Sequence, residues 1–221
     1  MKKILLLIPA FLLAFQISKA QTEKGSQTLG LDLGFSHASS NNSFITPGST
    51  AVSNLNGKRT SFLIGPNYSY FIADKLDIGT NLYYATGNQT NGSNLVTRQH
   101  TTEYSAKVFL RKYFMYNDKI GIRTGPYIGY GRSNYKFTYD DPNYAGSNTN
   151  SKTDGYMAGV NLGLVYYPSK KFGVAATLAN LNYNHYKSKD PNGQQSGSGD
   201  SVDFRLISND IAISVFYTFG K

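Results

Sequence analysis

Three histidines and the serines near them are the residues with which this chain could attack a carbonyl. His37 adjoins Ser36 and lies two positions from Ser39, and His185 precedes Ser188 by three. A hydroxyl beside an imidazole is the minimal nucleophile and base pair. No third residue that would orient either imidazole can be placed from the sequence, so no triad is defined. His100, like the other two, falls near a predicted extracellular strand end. A Gly-rich phosphate loop, a zinc-binding spacing and a nucleophile elbow are all missing from the sequence. Asp140-Asp141-Pro142-Asn143 and Asp190-Pro191-Asn192-Gly193 are better turn formers than calcium ligands. The chain has no cysteine, which removes thiolate catalysis, disulfides and the commonest structural zinc ligand. No metal, no cofactor and no enzymatic activity are therefore expected.

A second set of reactive groups is ionic. Asp32, Asp77, Lys107, Arg111, Arg123 and Asp210 all fall on the polar side of segments that alternate in polarity. If those segments are strands of a closed ring, the six side chains point into its interior. Asp77, Arg111 and Arg123 come out near one end, and Asp32, Lys107 and Asp210 nearer mid-height. Unpaired buried charge is costly, so two lumenal ion-pair clusters are expected.

The elements that would hold these groups have a period of two. In 28–36, Leu29, Leu31, Leu33 and Phe35 share one face against Thr28, Gly30, Asp32, Gly34 and Ser36. The same alternation predicts strands over 58–72, 76–86, 101–114, 120–136, 154–167 and 172–187, and a last strand that ends at Phe219. The phase of the seventh slips near Asn180, which predicts a bulge there. Short turns at 73–75, 115–119 and 168–171 alternate with long polar stretches at 38–57, 87–100, 139–153 and 190–201, expected as loops. Short turns at one end and long loops at the other are the asymmetry of transmembrane barrels.

Composition agrees. Tyr (18), Phe (13) and Gly (22) are abundant, with no Trp, a mixture that favours strands and turns over helices. A mean hydropathy of −0.36 is too polar for a helical membrane protein, whereas a barrel needs only every second strand residue apolar. Tyr70, Tyr84, Tyr130, Tyr166 and Tyr217 stand near strand ends, where aromatic girdles meet lipid headgroups.

The first twenty residues are a targeting segment by pattern. Lys2 and Lys3 precede an apolar run from Ile4 to Ile17, and Ser18-Lys19-Ala20 offers a cleavage site before Gln21. The run is shorter than the roughly 20 residues of a spanning helix. Residues 1–20 are expected to be a signal peptide and 21–221 a single domain. Removing the segment takes away Lys2, Lys3 and Lys19 and no acid, which lowers the net charge from +9 to +6. The remaining basic residues are scattered rather than gathered in a stripe, so nucleic acid is not an expected partner.

With signal peptide, alternation and loop asymmetry in place, the chain resembles the outer-membrane β-barrel domain family of Gram-negative bacteria, the small eight-stranded kind similar to OmpA and OmpX. The resemblance covers the whole of 21–221. It implies an all-β, eight-stranded antiparallel up-and-down transmembrane barrel in the cell outer membrane, in contact with outer-membrane lipid and lipopolysaccharide. It also implies that the final strand, with Ile213, Val215, Tyr217 and Phe219 in phase, is the signal read by the barrel-assembly machinery. Here Gly220 and Lys221 follow that aromatic. Some barrels of this kind modify lipid A through a His/Ser site near the rim, which is the one enzymatic reading the resemblance supplies. The interior of eight strands is about wide enough for side chains to fill. The leading expectation is a non-enzymatic barrel with a mostly filled polar lumen and long extracellular loops, for an extracellular ligand or for envelope maintenance. The alternatives are a narrow pore or small-ligand conduit, and a soluble secreted ligand-binding barrel.

Overall fold

The computed structural model describes residues 22–45, 52–92, 96–206 and 212–220. The expected signal peptide and its cut before Gln21, and Asp210, lie outside the described residues. Among the described residues nine strands follow one another: β1 (Gln27–Ile45), β2 (Val52–Ala73), β3 (Leu76–Gly92), β4 (Thr97–Tyr116), β5 (Ile120–Tyr139), β6 (Thr149–Tyr166), β7 (Phe172–Lys189), β8 (Gln195–Leu206) and β9 (Ala212–Phe219). Each strand from β1 to β7 pairs antiparallel with its successor. β8 and β9 both pair with β7, the first along Ala179–Lys189 and the second along Phe172–Ala176. They therefore share the eighth position of the ring. β9 closes it against β1, from Gln27↔Phe219 to Gly34↔Ala212. Above Gly34, no pairing joins β1 to β8 among the described residues.

The turn-rich end is tight and specific. Asn117 and Asp118 both take positive φ (48° and 52°). The Lys119 amide donates to the Tyr116 carbonyl across them at 3.2 Å. Two consecutive left-handed residues match the right-handed strand twist, and Asn and Asp tolerate that conformation best after Gly. The slip predicted near Asn180 is a bulge at Leu178, since Leu162 faces Ala179 and Gly163 faces Thr177.

Each of the long polar stretches, expected as loops, continues as paired strand over part of its described length. β1 and β2 stay in register out to Ile45↔Val52, and β3 with β4 out to Asn91↔Thr97. β5 and β6 stay paired to Phe137↔Thr149, and β7 and β8 to Lys189↔Gln195. Apolar and polar residues alternate only where one face meets lipid. Beyond that level both faces meet water, and the ladder continues on Thr, Asn, Ser and Tyr with no hydrophobic pattern to mark it. Between β5 and β6 the chain turns through a short 3-10 helix, Pro142–Ser147.

Candidate functional site

Candidate sites fall into the interior of the ring and its outer face. At the turn end of the interior, Phe71, Tyr113, Val165, Tyr167, Ala175 and Phe216 pack into a buried cluster. Phe71 and Tyr113 pack at 5.4 Å between ring centroids, as do Tyr167 and Phe216 edge to face. The chain entering the barrel adds to this floor. The Gly25 amide donates to the Phe71 carbonyl (2.9 Å) and the Lys75 amide to the Thr22 carbonyl (2.6 Å).

Above the floor, register places Asp77 of β3 directly opposite Arg111 of β4. Arg111 grips the carboxylate with two bonds, Nη2 to Oδ2 at 2.6 Å and Nε to Oδ1 at 3.0 Å. Ser69 and Tyr113 donate their hydroxyls to Oδ2 at 2.7 and 3.0 Å. The guanidinium lies 3.8 Å from the centroid of Phe109. Asp77 is 0 % exposed, and burial at this level is tolerated because the charge is neutralised and its lone pairs are satisfied.

Arg123, expected in the same cluster, does not join it by contact. Its Nη2 donates to Ser214 Oγ at 3.1 Å and its guanidinium lies 5.8 Å from the Phe216 ring. Of the second expected cluster, Asp210 lies outside the described residues. Asp32 and Lys107 form no ion pair with each other. Asp32 is held by three neutral donors: Asn67 Nδ2 (2.9 Å), the Tyr83 hydroxyl (2.9 Å) and Asn81 Nδ2. Lys107 instead lies over two rings, 4.8 Å from Tyr83 and 5.1 Å from Tyr127. A carboxylate saturated by neutral donors needs no cation, and a lysine can take its compensation from π faces.

Asp32, Lys107, Arg111 and Arg123 do line one interior cavity of about 130 Å³. The interior residues the sequence did not single out are the neutral ones. Asn180 and Asn182 on β7 accept from the Tyr127 hydroxyl at 3.1 and 3.0 Å, and Asn182 donates to Asn184 at 3.0 Å. Their common signal was the every-second-residue spacing of 180, 182 and 184 on the inward face.

Neither imagined nucleophile and base pair forms. Ser36 Oγ meets Ser61 (2.7 Å) and Ser188 Oγ meets Thr153 (2.9 Å). His37 Nδ1 lies 3.0 Å from Thr60 Oγ1, and His100 Nδ1 lies 2.8 Å from Asn88 Oδ1. His185 Nδ1 lies 2.9 Å from Asp200 Oδ1, which also accepts from Tyr183 (2.6 Å). Among the described residues, no cluster of acids and histidines could hold a metal ion.

The outer face is the converse of the interior. Leu29, Leu33, Ile78, Leu82, Val108, Ile128, Val160 and Ile213 are all exposed. Two aromatic rows bound this belt. Tyr84 and Tyr104, and Tyr130 and Tyr156, pair at 5.2 Å along its upper edge. Phe172 and Tyr217 pair at 5.2 Å along the lower. All five girdle tyrosines expected from the sequence, Tyr70, Tyr84, Tyr130, Tyr166 and Tyr217, are exposed. On β5 the belt runs from Ile120 to Tyr130, eleven residues, which matches a tilted membrane-crossing strand. A closed ladder with its apolar residues outside and its charges inside is a transmembrane β-barrel. Ile213, Val215 and Tyr217 face outward on β9, while Ser214, Phe216 and Thr218 are buried.

No family model and no curated protein matches the chain. Among solved structures it is similar to the outer membrane protein OprG from Pseudomonas aeruginosa, at 14% identity and a TM-score of 0.49, over 92% of this chain and 100% of that one. It is also similar to the N-terminal β-barrel domain of Pseudomonas aeruginosa OprF, at 13% identity and a TM-score of 0.34, over 89% and 98%. Ail, the attachment invasion locus protein of Yersinia pestis, gives 9% identity and a TM-score of 0.33, over 89% and 99%. What makes the chain a barrel is its closed ladder and apolar belt, independent of these likenesses.

Proposed function

We propose that this chain is a non-enzymatic protein of the cell outer membrane, exported behind residues 1–20, whose function lies in its long hairpins and in its hold on the membrane. The observation that carries the reading is the contrast between the two ends. The turn end is closed by the Phe71, Tyr113, Tyr167 and Phe216 cluster and by the Asp77 and Arg111 pair. At the other end β1 to β8 continue as paired hairpins of polar residues beyond the aromatic row. Scaffold-held projections of this kind are where surface contacts reside. Outer-membrane lipid, lipopolysaccharide and an extracellular ligand are the partners this reading supplies, and the outward row of Ile213, Val215, Tyr217 and Phe219 is the feature offered to the assembly machinery.

A narrow conduit is the second reading. The cavity of about 130 Å³ and the amide row of Asn180, Asn182 and Asn184 favour it. Membrane fractionation with unheated and heated gels tests the location. A chain absent from the outer membrane, with no heat-dependent mobility shift, ends the main reading. Steady single-channel conductance from the purified wild-type chain would replace it with the second.

A further inference from the structure

Above the upper aromatic row, β5, β6 and β7 carry a cationic outer face. Arg132 follows outward Tyr130 by two, and Asp154 and Lys152 precede outward Tyr156 by two and four. Lys187 and Lys189 follow Tyr183 by four and six on β7. Strand alternation puts all of them on the same outer side. Arg132 and Asp154 neutralise each other at 2.6 Å. Asp190, the other acid here, accepts the Gln194 amide at 2.8 Å. Lys152 and Lys189 stand directly opposite each other in the β6 and β7 register. Both are exposed, and neither has a carboxylate within ion-pair distance among the described residues. Like charges directly opposed across two strands disfavour the pairing that brings them together. An anion between them would reverse that sign.

The surface is shaped for one. Arg132, Lys152 and Lys189, with Asp154, Asp190 and Gly193, line a concavity of about 370 Å³. Below it, across the Tyr130 and Tyr156 pair, lies an apolar groove of about 640 Å³. Leu82, Ala106, Val108, Ile128 and Ala158 line this groove. The small Ala106 and Ala158 leave the depression, and the bulky residues form its walls. A cationic hollow, an aromatic shelf and an apolar furrow thus follow one another toward the centre of the belt.

We infer that this face is a lipid site that holds a phosphate-bearing, acylated lipid of the outer leaflet. The phosphate sits between Lys152 and Lys189, which face each other across β6 and β7, and one acyl chain lies in the furrow past Ala106 and Ala158. A free phosphate would use only the upper hollow, and a zwitterionic lipid only the furrow. The inference rests on the membrane-spanning reading above and goes beyond it in naming one patch of the circumference and one lipid class.

Native mass spectrometry of the refolded full chain tests it, with hexa-acylated lipid A and phosphatidylcholine supplied together in detergent. Retention of lipid A over phosphatidylcholine by at least about tenfold is expected. Lys152→Gln with Lys189→Gln is expected to remove that preference, and Ala158→Phe to lower retention of lipid A by filling the furrow. Millimolar inorganic phosphate is expected not to displace the lipid. Equal retention of the two lipids overturns the site, as does an unchanged preference in the double variant with its heat-dependent gel shift intact. Displacement by phosphate overturns the lipid as occupant. A wild-type chain that neither shifts on heating nor enters vesicles sinks the membrane reading itself, a result distinct from insertion without discrimination.

Discussion

Gly65 faces the ring of Tyr83 so closely that a methyl group on it would lie 2.6 Å from Tyr83 Cδ1. The tyrosine needs that space to cross the interior and donate to Asp32. Gly65→Ala is expected to push the ring off Asp32 and to destabilise the barrel by about 1–3 kcal/mol, as overpacking does. Urea unfolding in vesicles measures it. Adding Tyr83→Ala is expected to cost less in the Gly65→Ala background than in the wild-type chain, since the clash is then gone; a purely additive double variant would refute the contact as the cause.

The Asp77 and Arg111 pair is expected to show the asymmetry of buried charges. Removing one partner, by Asp77→Asn or Arg111→Met, strands the other and is expected to cost about 3–5 kcal/mol. Asp77→Leu with Arg111→Met removes both charges and is expected to cost less than either single change. A double-variant unfolding cycle reads the difference.

The aromatic floor is expected to keep the wild-type chain electrically silent in planar bilayers. Tyr167 and Phe216 meet edge to face across it. Phe216→Ala with Tyr167→Ala is expected to raise conductance to discrete steps. Wild-type steps of the same size would show that the floor does not limit passage.

Acid is expected to loosen the hairpins before the spanning region. The hydrogen bond from Arg132 holds the Asp154 carboxyl below its usual value, and those from Tyr183 and then His185 do the same for Asp200. A carboxylate lowered in the folded state stabilises it above the unfolded value of about 3.9, and that contribution disappears as pH falls through the lower folded value. Amide protection in the β5–β6 and β7–β8 hairpins is therefore expected to hold to about pH 4 and to fall below it. Arg132→Gln is expected to flatten this response in β5–β6 alone. Protection that falls between pH 7 and 5 would assign the effect to other groups.

The spanning half of the barrel was legible because lipid imposes a period of two. Leu29 to Phe35 and Ile122 to Tyr130 could be put on the outer face from residue types alone. The hairpins were not legible, because Thr97 to Thr102 and Thr149 to Thr153 pair through backbone groups while both side-chain faces meet water. Inside, Asp77 and Arg111 were readable as a pair, since each sits on the polar phase near a short turn that fixes register. Asp32 was misassigned a cation because Asn67, Asn81 and Tyr83, which satisfy it, come from 35 to 51 positions away. Nothing in a strand's own pattern marks a neutral amide as a carboxylate's partner.

The join between β1 and β9 puts Gln27 against Phe219. Among the described residues, seven of the nine strand pairings are between strands consecutive in the chain, and each of these can form as soon as its two strands exist. Of the other two, β7 with β9 skips one strand, and β1 with β9 spans nearly the whole polypeptide. Its timing is set by emergence of the last eight-residue strand, so any earlier species is an open sheet with two unsatisfied edges that neither lipid nor a second such sheet meets safely. Closure is one late event rather than the last of many equal ones. A chain halted before residue 212 would carry most of its strand pairings and leave the β1 edge from Gln27 to Gly34 without its partner.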